Sequence, residues 1–315
     1  MFTRVSTNSI NESILNYLNK NLSKLNDTVS EISTGKKINN VSDDVIDGMT
    51  IISSNNSLSA IDTYTKNINS ANTEIDTTDS TLSEISNAIQ SVTGLVTQAS
   101  NSTYTADDLK AINNTIQSYK ETILGLANTE YAGKYLFSGT NITNVAYTED
   151  KTTGAIIYNG TASSGDYERK TEISDGVTVI TNACGEDVFG YSTHTNSSGT
   201  TIPGKGLFDT LDKISKLLTA NPPDHVAISS TIDNLNNALD TVTNTRSKLA
   251  GISTRLTMAS DQLTTAKTNY TSRLSDAQDI DYASSISDLT ATQTAYQASL
   301  SASSKIMKLS LLNYM

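Results

Sequence analysis

Ile61, Tyr64, Ile68, Ala71, Ile75, Thr78, Leu82, Ile85, Ile89, Val92 and Val96 follow one another at alternating intervals of three and four residues. Thr78 is the only member that is not apolar. A heptad rhythm held this long specifies one continuous helix with a narrow apolar seam. The far end of the chain repeats the rhythm at Leu249, Ile252, Leu256, Ala259, Leu263, Ala266 and Tyr270, and Ala277 and Ile280 extend it across a misfit at Arg273. A seam this thin cannot bury itself, so each helical arm needs a partner helix, and the most economical partner is the other arm. The expected fold is mainly α: a long antiparallel helical rod formed by the N- and C-terminal arms, with a β-rich central domain inserted between them.

Composition agrees with narrow seams rather than one large core. Of 315 residues, 36% are hydrophobic, with no Trp and 4 Phe, against about 45–50% in an ordinary globular chain. Only 17% are charged, which argues against disorder driven by charge repulsion. The balance of 22 basic and 33 acidic residues gives a net charge of −11, a surface that repels phosphate. Nucleic acid and anionic membrane are therefore not expected partners. No apolar run approaches the roughly 18–20 residues of a membrane span, so no membrane insertion is expected. Met1-Phe2-Thr3-Arg4-Val5 opens the chain without an apolar h-region, so no cleaved signal peptide is expected either.

Outward from the long arms, Leu15, Leu18, Leu22, Leu25, Val29 and Ile32 mark a first helix from about Asn8 to Ser33. Gly35 can cap it in the left-handed conformation, and Lys36 and Lys37 face its negative end. Ser42, Asp43 and Asp44 supply an N-cap and first-turn acids for the second helix. Thr105-Ala106-Asp107-Asp108 is a capping-box variant that opens a third helix. Short β-branched and aromatic runs at Ala155 to Gly160, Asp166 to Ile173 and Gly176 to Asn182 are cut by Gly, Asn and Ser, as strands and turns are. Helical patterning returns at Gly206, breaks at Pro222-Pro223-Asp224, and resumes from Val226 to Thr271 or beyond. A last segment, Ile286 to Leu312, carries Leu289, Tyr296, Leu300 and Met307 on one stripe.

Nothing in the chain spells a reaction centre. Gly199-Thr200-Thr201-Ile202-Pro203-Gly204-Lys205-Gly206 nearly forms a phosphate-binding loop, but Gly206 stands where magnesium needs Ser or Thr, and no buried strand precedes it. The acidic pairs Asp43-Asp44 and Asp107-Asp108 fall where helices begin, which explains them without acid–base catalysis. His194 and His225 read as solvated surface residues. Cys184, the only cysteine, has no activating neighbour in sequence and reads as a small buried apolar residue. No enzyme, cofactor or metal site is expected.

Three segments resemble the hook–filament junction proteins of the flagellin superfamily. Ile32-Ser33-Thr34-Gly35-Lys36-Lys37-Ile38-Asn39-Asn40-Val41-Ser42-Asp43-Asp44 is similar to that family's bend between terminal and core helices. Leu126-Ala127-Asn128-Thr129 with Gly133-Lys134-Tyr135-Leu136-Phe137-Ser138-Gly139-Thr140 resembles the junction proteins rather than filament flagellins. Asp281-Tyr282-Ala283-Ser284-Ser285-Ile286-Ser287-Asp288-Leu289 continues through Tyr296-Gln297-Ala298-Ser299-Leu300 to Leu309-Ser310-Leu311-Leu312. The chain departs from filament flagellins at Ser91, Thr93 and Gly94, where the segment bound by innate immune receptors carries two Arg and a Glu.

The resemblance implies a non-enzymatic structural adaptor exported to the outside of the cell without a cleaved signal peptide. Its implied partners are further copies in a homo-oligomeric ring, the other hook–filament junction protein, the hook or filament subunits, and a cytosolic export chaperone at the C-terminal region. The implied organisation is an assembly helix and bend over 1–41, core helices over 42–139, a β-rich outer domain over 140–205, core helices over 206–280 and a C-terminal assembly helix over 281–315. Assembly seams fall at Leu15, Leu18, Leu22, Leu25, Val29 and Ile32 and at Ile286, Leu289, Tyr296, Leu300 and Met307. The core seam runs through Ile61, Ile68, Ile75, Leu82, Ile85, Ile89, Val92 and Val96, with Leu249, Leu256 and Leu263 opposite. Gly35, Lys36, Asn39, Asp43 and Asp44 form the bend. Two other readings stay open: a filament flagellin, or a coiled-coil secreted adhesin or secretion-tip protein.

Overall fold

A computed structural model describes residues 7–40, 42–195 and 201–312. Seven helices account for most of them: α1 (Thr7–Thr34), α2 (Val45–Ala99), α3 (Ala106–Ala127), α4 (Gly185–Phe189), α5 (Gly206–Leu218), α6 (His225–Gln278) and α7 (Tyr282–Leu312). Between α3 and α5 lie eight short strands: β1 (Glu130–Tyr131), β2 (Lys134–Tyr135), β3 (Tyr147–Glu149), β4 (Ile156–Tyr158), β5 (Lys170–Ser174), β6 (Val177–Ile180), β7 (His194–Thr195) and β8 (Thr201–Ile202). They pair as four separate two-stranded antiparallel ribbons, each joining neighbours in sequence. The chain divides into two compact units, one from Asp62 to Leu263 and one made of the residues up to Ile61 with those from Thr264 onward.

In the first of these units α2 runs antiparallel to α6. The Arg246 guanidinium grips Asp79 with two hydrogen bonds of 2.8 and 3.2 Å, and the His225 ring meets the Ala99 carbonyl at 3.0 Å. The seam residues between these points are buried; Ile68, Leu82, Ile85, Ile89, Val92, Val96 and Leu256 are fully so. Ile75, Leu249 and Leu263 are buried too, as is Ile61 at the unit's edge. Thr78, the one polar seam member, is tolerated because its hydroxyl donates to the Glu74 carbonyl at 2.8 Å, leaving its methyl for packing.

Helix α3 opens on the expected capping box, Thr105 and Asp108 bonding each other's backbone. It packs against α5, where the buried Lys120 ammonium donates to Asp212 at 2.6 Å and to the Gly154 carbonyl at 2.8 Å. Phe137, Tyr147, Phe189 and Phe208 form the hub of the strand region, with ring centroids 4.9 Å apart for Phe137–Phe189 and 5.1 Å for Tyr147–Phe208. Edge-to-face and tilted contacts of this kind contribute beyond simple burial. The β5–β6 ribbon is tied to α2 by the Arg169–Glu74 ion pair and by the Asn67 amide, which donates to the Glu172 carbonyl at 2.9 Å.

Several local expectations change. His225 is not a solvated surface residue but a half-buried staple on the end of α2. The cap of α2 is Asp44, whose carboxylate accepts from the Ile46 and Asp47 amides at 2.8 and 3.1 Å, rather than Ser42. α6 continues through the Arg273 misfit to Gln278. Strand β3 carries no alternation in its three residues and escapes a periodicity reading. Cys184 is buried, and burial pushes its thiol pKa up. The side chain of His194 and residues Val41, Gly199 and Thr200 lie outside the described part.

Candidate assembly surface

The second unit holds the terminal helices. Along α1, Ile14, Leu18, Asn21, Leu25, Thr28 and Ile32 are the positions withdrawn from solvent, at spacings of four and three. Along α7 the matching set is Ser285, Leu289, Thr292, Tyr296, Ser299 and Ser303. The two helices pack on each other, and the Asn21 amide donates to the Ser299 hydroxyl at 2.7 Å across the contact. Only Thr28, Thr292 and Ser303 of these positions are fully buried, all of them small and polar. Thr28 and Thr292 sit one heptad from Asn21 and Ser299, so the α1–α7 contact alternates apolar and polar layers.

The six α1 seam residues therefore divide. Leu18, Leu25 and Ile32 are half-buried toward α7. Leu15, Leu22 and Val29 point to solvent, 57%, 38% and 48% exposed. On α7, Leu289 and Tyr296 are half-buried, whereas Ile286 and Leu300 are 54% and 43% exposed. Met307 lies within α7, with its side chain outside the described part. The pair thus carries an apolar flank that no described residue covers. Soluble chains scatter single apolar residues over their surfaces, but a heptad-spaced row marks a contact for another helix.

Both helices end at one joint. Gly35, at φ +72°, turns the chain out of α1, and a β-carbon there would meet the Tyr282 hydroxyl at 2.8 Å. Lys36 forms an isolated antiparallel bridge with Asp279. The Lys37 amide donates to the Gln278 carbonyl at 2.7 Å, and the Ile280 amide to the Gly35 carbonyl at 3.2 Å. The linker between α1 and α2 is thereby stitched to the linker between α6 and α7. Asp43 closes the turn by accepting from the Asn39 and Asn40 amides at 3.2 and 2.8 Å. Lys37 pairs with Asp47 at 2.7 Å, and Asp281 caps α7 by accepting from the Ala283 amide at 2.9 Å. Sequence reasoning found Gly35 through its cap signal but missed Tyr282 and Asp279, which are adjacent only in space.

The chemistry of this surface is that of helix association. Among the described residues no group of His, Cys, Asp and Glu is placed to hold a metal, and no helix is long and apolar enough to cross a membrane.

Residues 5–142 match the bacterial flagellin N-terminal helical region and residues 232–315 the bacterial flagellin C-terminal helical region, together more than two thirds of the chain. The chain belongs to the flagellin superfamily. Within it, a likeness spanning nearly the whole length is to flagellar hook-associated protein 3 of Escherichia coli K12, 26% identical over 295 residues that cover 89% of this chain and 90% of that one. Phase 1 flagellin of Salmonella naestved is 31% identical over only 138 residues, 27% of its length. The fold is shared with flagellar hook-associated protein 3 of Legionella pneumophila (TM-score 0.61, 14% identity, 72% of this chain and 98% of that one). It is shared also with FlgL of Xanthomonas campestris (TM-score 0.59, 16% identity, 70% and 99%).

Proposed function

We propose that the chain is a structural adaptor of the bacterial flagellum, acting at the junction between hook and filament and assembling through its terminal helices. The observation that carries this reading is the division of the α1–α7 pair. Its internal contact is polar and thin, while Leu15, Leu22, Val29, Ile286 and Leu300 remain exposed at heptad-related positions. Helices so arranged gain their apolar burial from neighbouring subunits, at roughly 25 cal/mol for each Å² removed from water. A homo-oligomeric ring follows, its partners being the other hook–filament junction protein on one side and hook or filament subunits on the other. The exposed apolar flank also accounts for a cytosolic chaperone at the C-terminal region, which would shield it before export, and export would proceed without a cleaved signal peptide. No role in catalysis is assigned.

The alternative within the superfamily, a filament flagellin, is disfavoured by the extent of the similarities: the hook-associated protein 3 match runs through the central region, whereas the flagellin match ends after 138 residues. The test is electron microscopy of a strain lacking this chain. The expected result is that hooks remain, filaments are absent and flagellin accumulates in the medium. Normal filaments would overturn the assignment, and loss of filaments with no flagellin released would point to the filament subunit itself.

A further inference from the structure

The start of α2 carries a second uncovered apolar row. Val45, Ile46, Met49 and Ile52 are 61%, 79%, 66% and 48% exposed, while Gly48 and Ser54 on the opposite side are buried. The intramolecular face of this segment is already occupied, so the row needs a partner from outside the chain. We propose that it receives the exposed flank of α1 from a second copy of this chain, in antiparallel orientation.

Spacing and charge argue for that occupant. Leu15, Leu18 and Leu22 are separated by three and four residues; Ile52, Met49 and Val45, taken in the reverse direction, are separated by three and four. Both rows span one heptad, about 10.5 Å at 1.5 Å per residue. An antiparallel alignment therefore sets Leu15 against Ile52, Leu18 against Met49 and Leu22 against Val45. The same register brings Lys24 opposite Asp43 and Lys20 opposite Asp47. Both lysines are exposed on α1, and Asp43 is exposed beside the row. Asp47 already pairs with Lys37, so Lys20 would add to an existing ion pair. A parallel alignment would instead oppose 3–4 spacing to 4–3 spacing and bring Asp27 and Glu31 past the row, with no lysine facing Asp43. Apolar anchors with opposite charges at the rim fix register as well as attraction. Because the two surfaces are different patches of one chain, the contact is head-to-tail. It propagates from copy to copy into a ring or helical array rather than closing as a dimer. The inference rests on the self-assembly reading above and names which surface of the neighbour the α1 flank meets.

Cysteine cross-linking between full-length chains tests it. Chains carrying Leu15→Cys are mixed with chains carrying Ile52→Cys, and Leu22→Cys with Val45→Cys, then oxidised; Cys184 is buried, so the unsubstituted chain serves as background. Matched pairs should yield covalent heterodimer at least tenfold above the mismatched pair Leu15→Cys with Val45→Cys. Separately, Met49→Glu should weaken self-association at least tenfold in sedimentation while leaving the monomer's melting curve unchanged, since Met49 is 66% exposed. Met49→Glu chains that associate as well as the unsubstituted chain would overturn the proposal and indicate that another protein, such as an export chaperone, covers the row. Equal cross-linking in matched and mismatched pairs would also overturn it. Either outcome leaves the terminal-helix reading standing if Val29→Glu still blocks association. A chain that never associates defeats both.

Discussion

Thr78 and Ile85 show what a single residue decides in a seam seven residues wide. Thr78 survives because its hydroxyl has a backbone carbonyl of its own helix to bond. An aspartate at Ile85 or Leu256 has no such outlet: both positions are fully buried, and a carboxylate there would be unpaired in apolar surroundings. A charge stranded in this way costs about 3 kcal/mol or more. At roughly 2–4 °C per kcal/mol for a unit of this size, Ile85→Asp or Leu256→Asp should lower the melting temperature by about 6–12 °C in circular dichroism. An unchanged melt would show that these residues do not face a partner helix. The same positions show how much a sequence can say. Ile61 to Val96 declare their burial because a continuous helix can hide only one seam. Leu15, Leu18, Leu22 and Leu25 obey an identical rhythm, yet the rhythm cannot tell which of them meet α7. Thr28 and Thr292 are absent from any apolar pattern, and they are among the most deeply buried residues of that contact.

At the scale of elements, the short strands owe their order to the aromatic hub, and the hub has its own pH limit. Tyr147 is almost wholly buried and its hydroxyl finds no hydrogen-bond partner among the described residues. The Tyr158 hydroxyl donates to the Phe137 carbonyl at 3.0 Å or the Thr161 carbonyl at 3.1 Å. Burial raises both phenol pKa values above the ordinary tyrosine range. A group whose folded pKa is raised contributes stability that is complete below its unfolded pKa, near 10, and is lost as pH climbs beyond it. Stability should therefore fall above about pH 10, and two tyrosinates should appear in the near-ultraviolet only as the unit unfolds. Tyr147→Phe should preserve or raise stability, because it removes a buried hydroxyl that bonds nothing. The terminal helices stand at the other extreme. Their mutual contact is rich in Ser, Thr and Asn, and helices of this length are marginal alone. We expect fast hydrogen exchange over Leu18–Ile32 and Leu289–Leu300 in the monomer, with protection over Ile68–Val96 and Leu249–Leu263. Equal protection would contradict the idea that these helices are completed by neighbours. The hairpins themselves were visible as β-branched runs. Their docking on α2 through Arg169 and Glu74 was not, because that pair is 95 residues apart in sequence.

Across the whole molecule, charge is divided very unevenly between the two compact units. The unit of Asp62 to Leu263 carries 13 basic and 23 acidic residues, whereas the terminal unit carries 9 and 10. Nearly all of the net charge of −11 therefore belongs to the long central stretch, and the segments proposed to assemble are close to neutral. This partition has a physical consequence for a chain that packs against copies of itself. Nearly neutral helices can approach without a large desolvation or repulsion cost, while the acidic central units of adjacent copies repel over distances set by the ionic atmosphere. That range is about 30 Å at 0.01 M salt and about 8 Å at 0.15 M. Self-association driven by apolar burial but opposed by this repulsion should strengthen as salt is added, the reverse of an assembly held by ion pairs. Sedimentation from low to physiological ionic strength should show the associated fraction rising, with the steepest gain below about 0.1 M where screening changes most. Replacing exposed acids of the central unit that bond no other side chain, for example Asp233→Asn together with Asp240→Asn, should shift the same curve to lower salt without altering the melt. An associated fraction that falls steadily with salt would mean that attraction between opposite charges, not apolar burial at the terminal helices, holds the copies together. The heptad-spaced flank of α1 would then be a bystander to assembly.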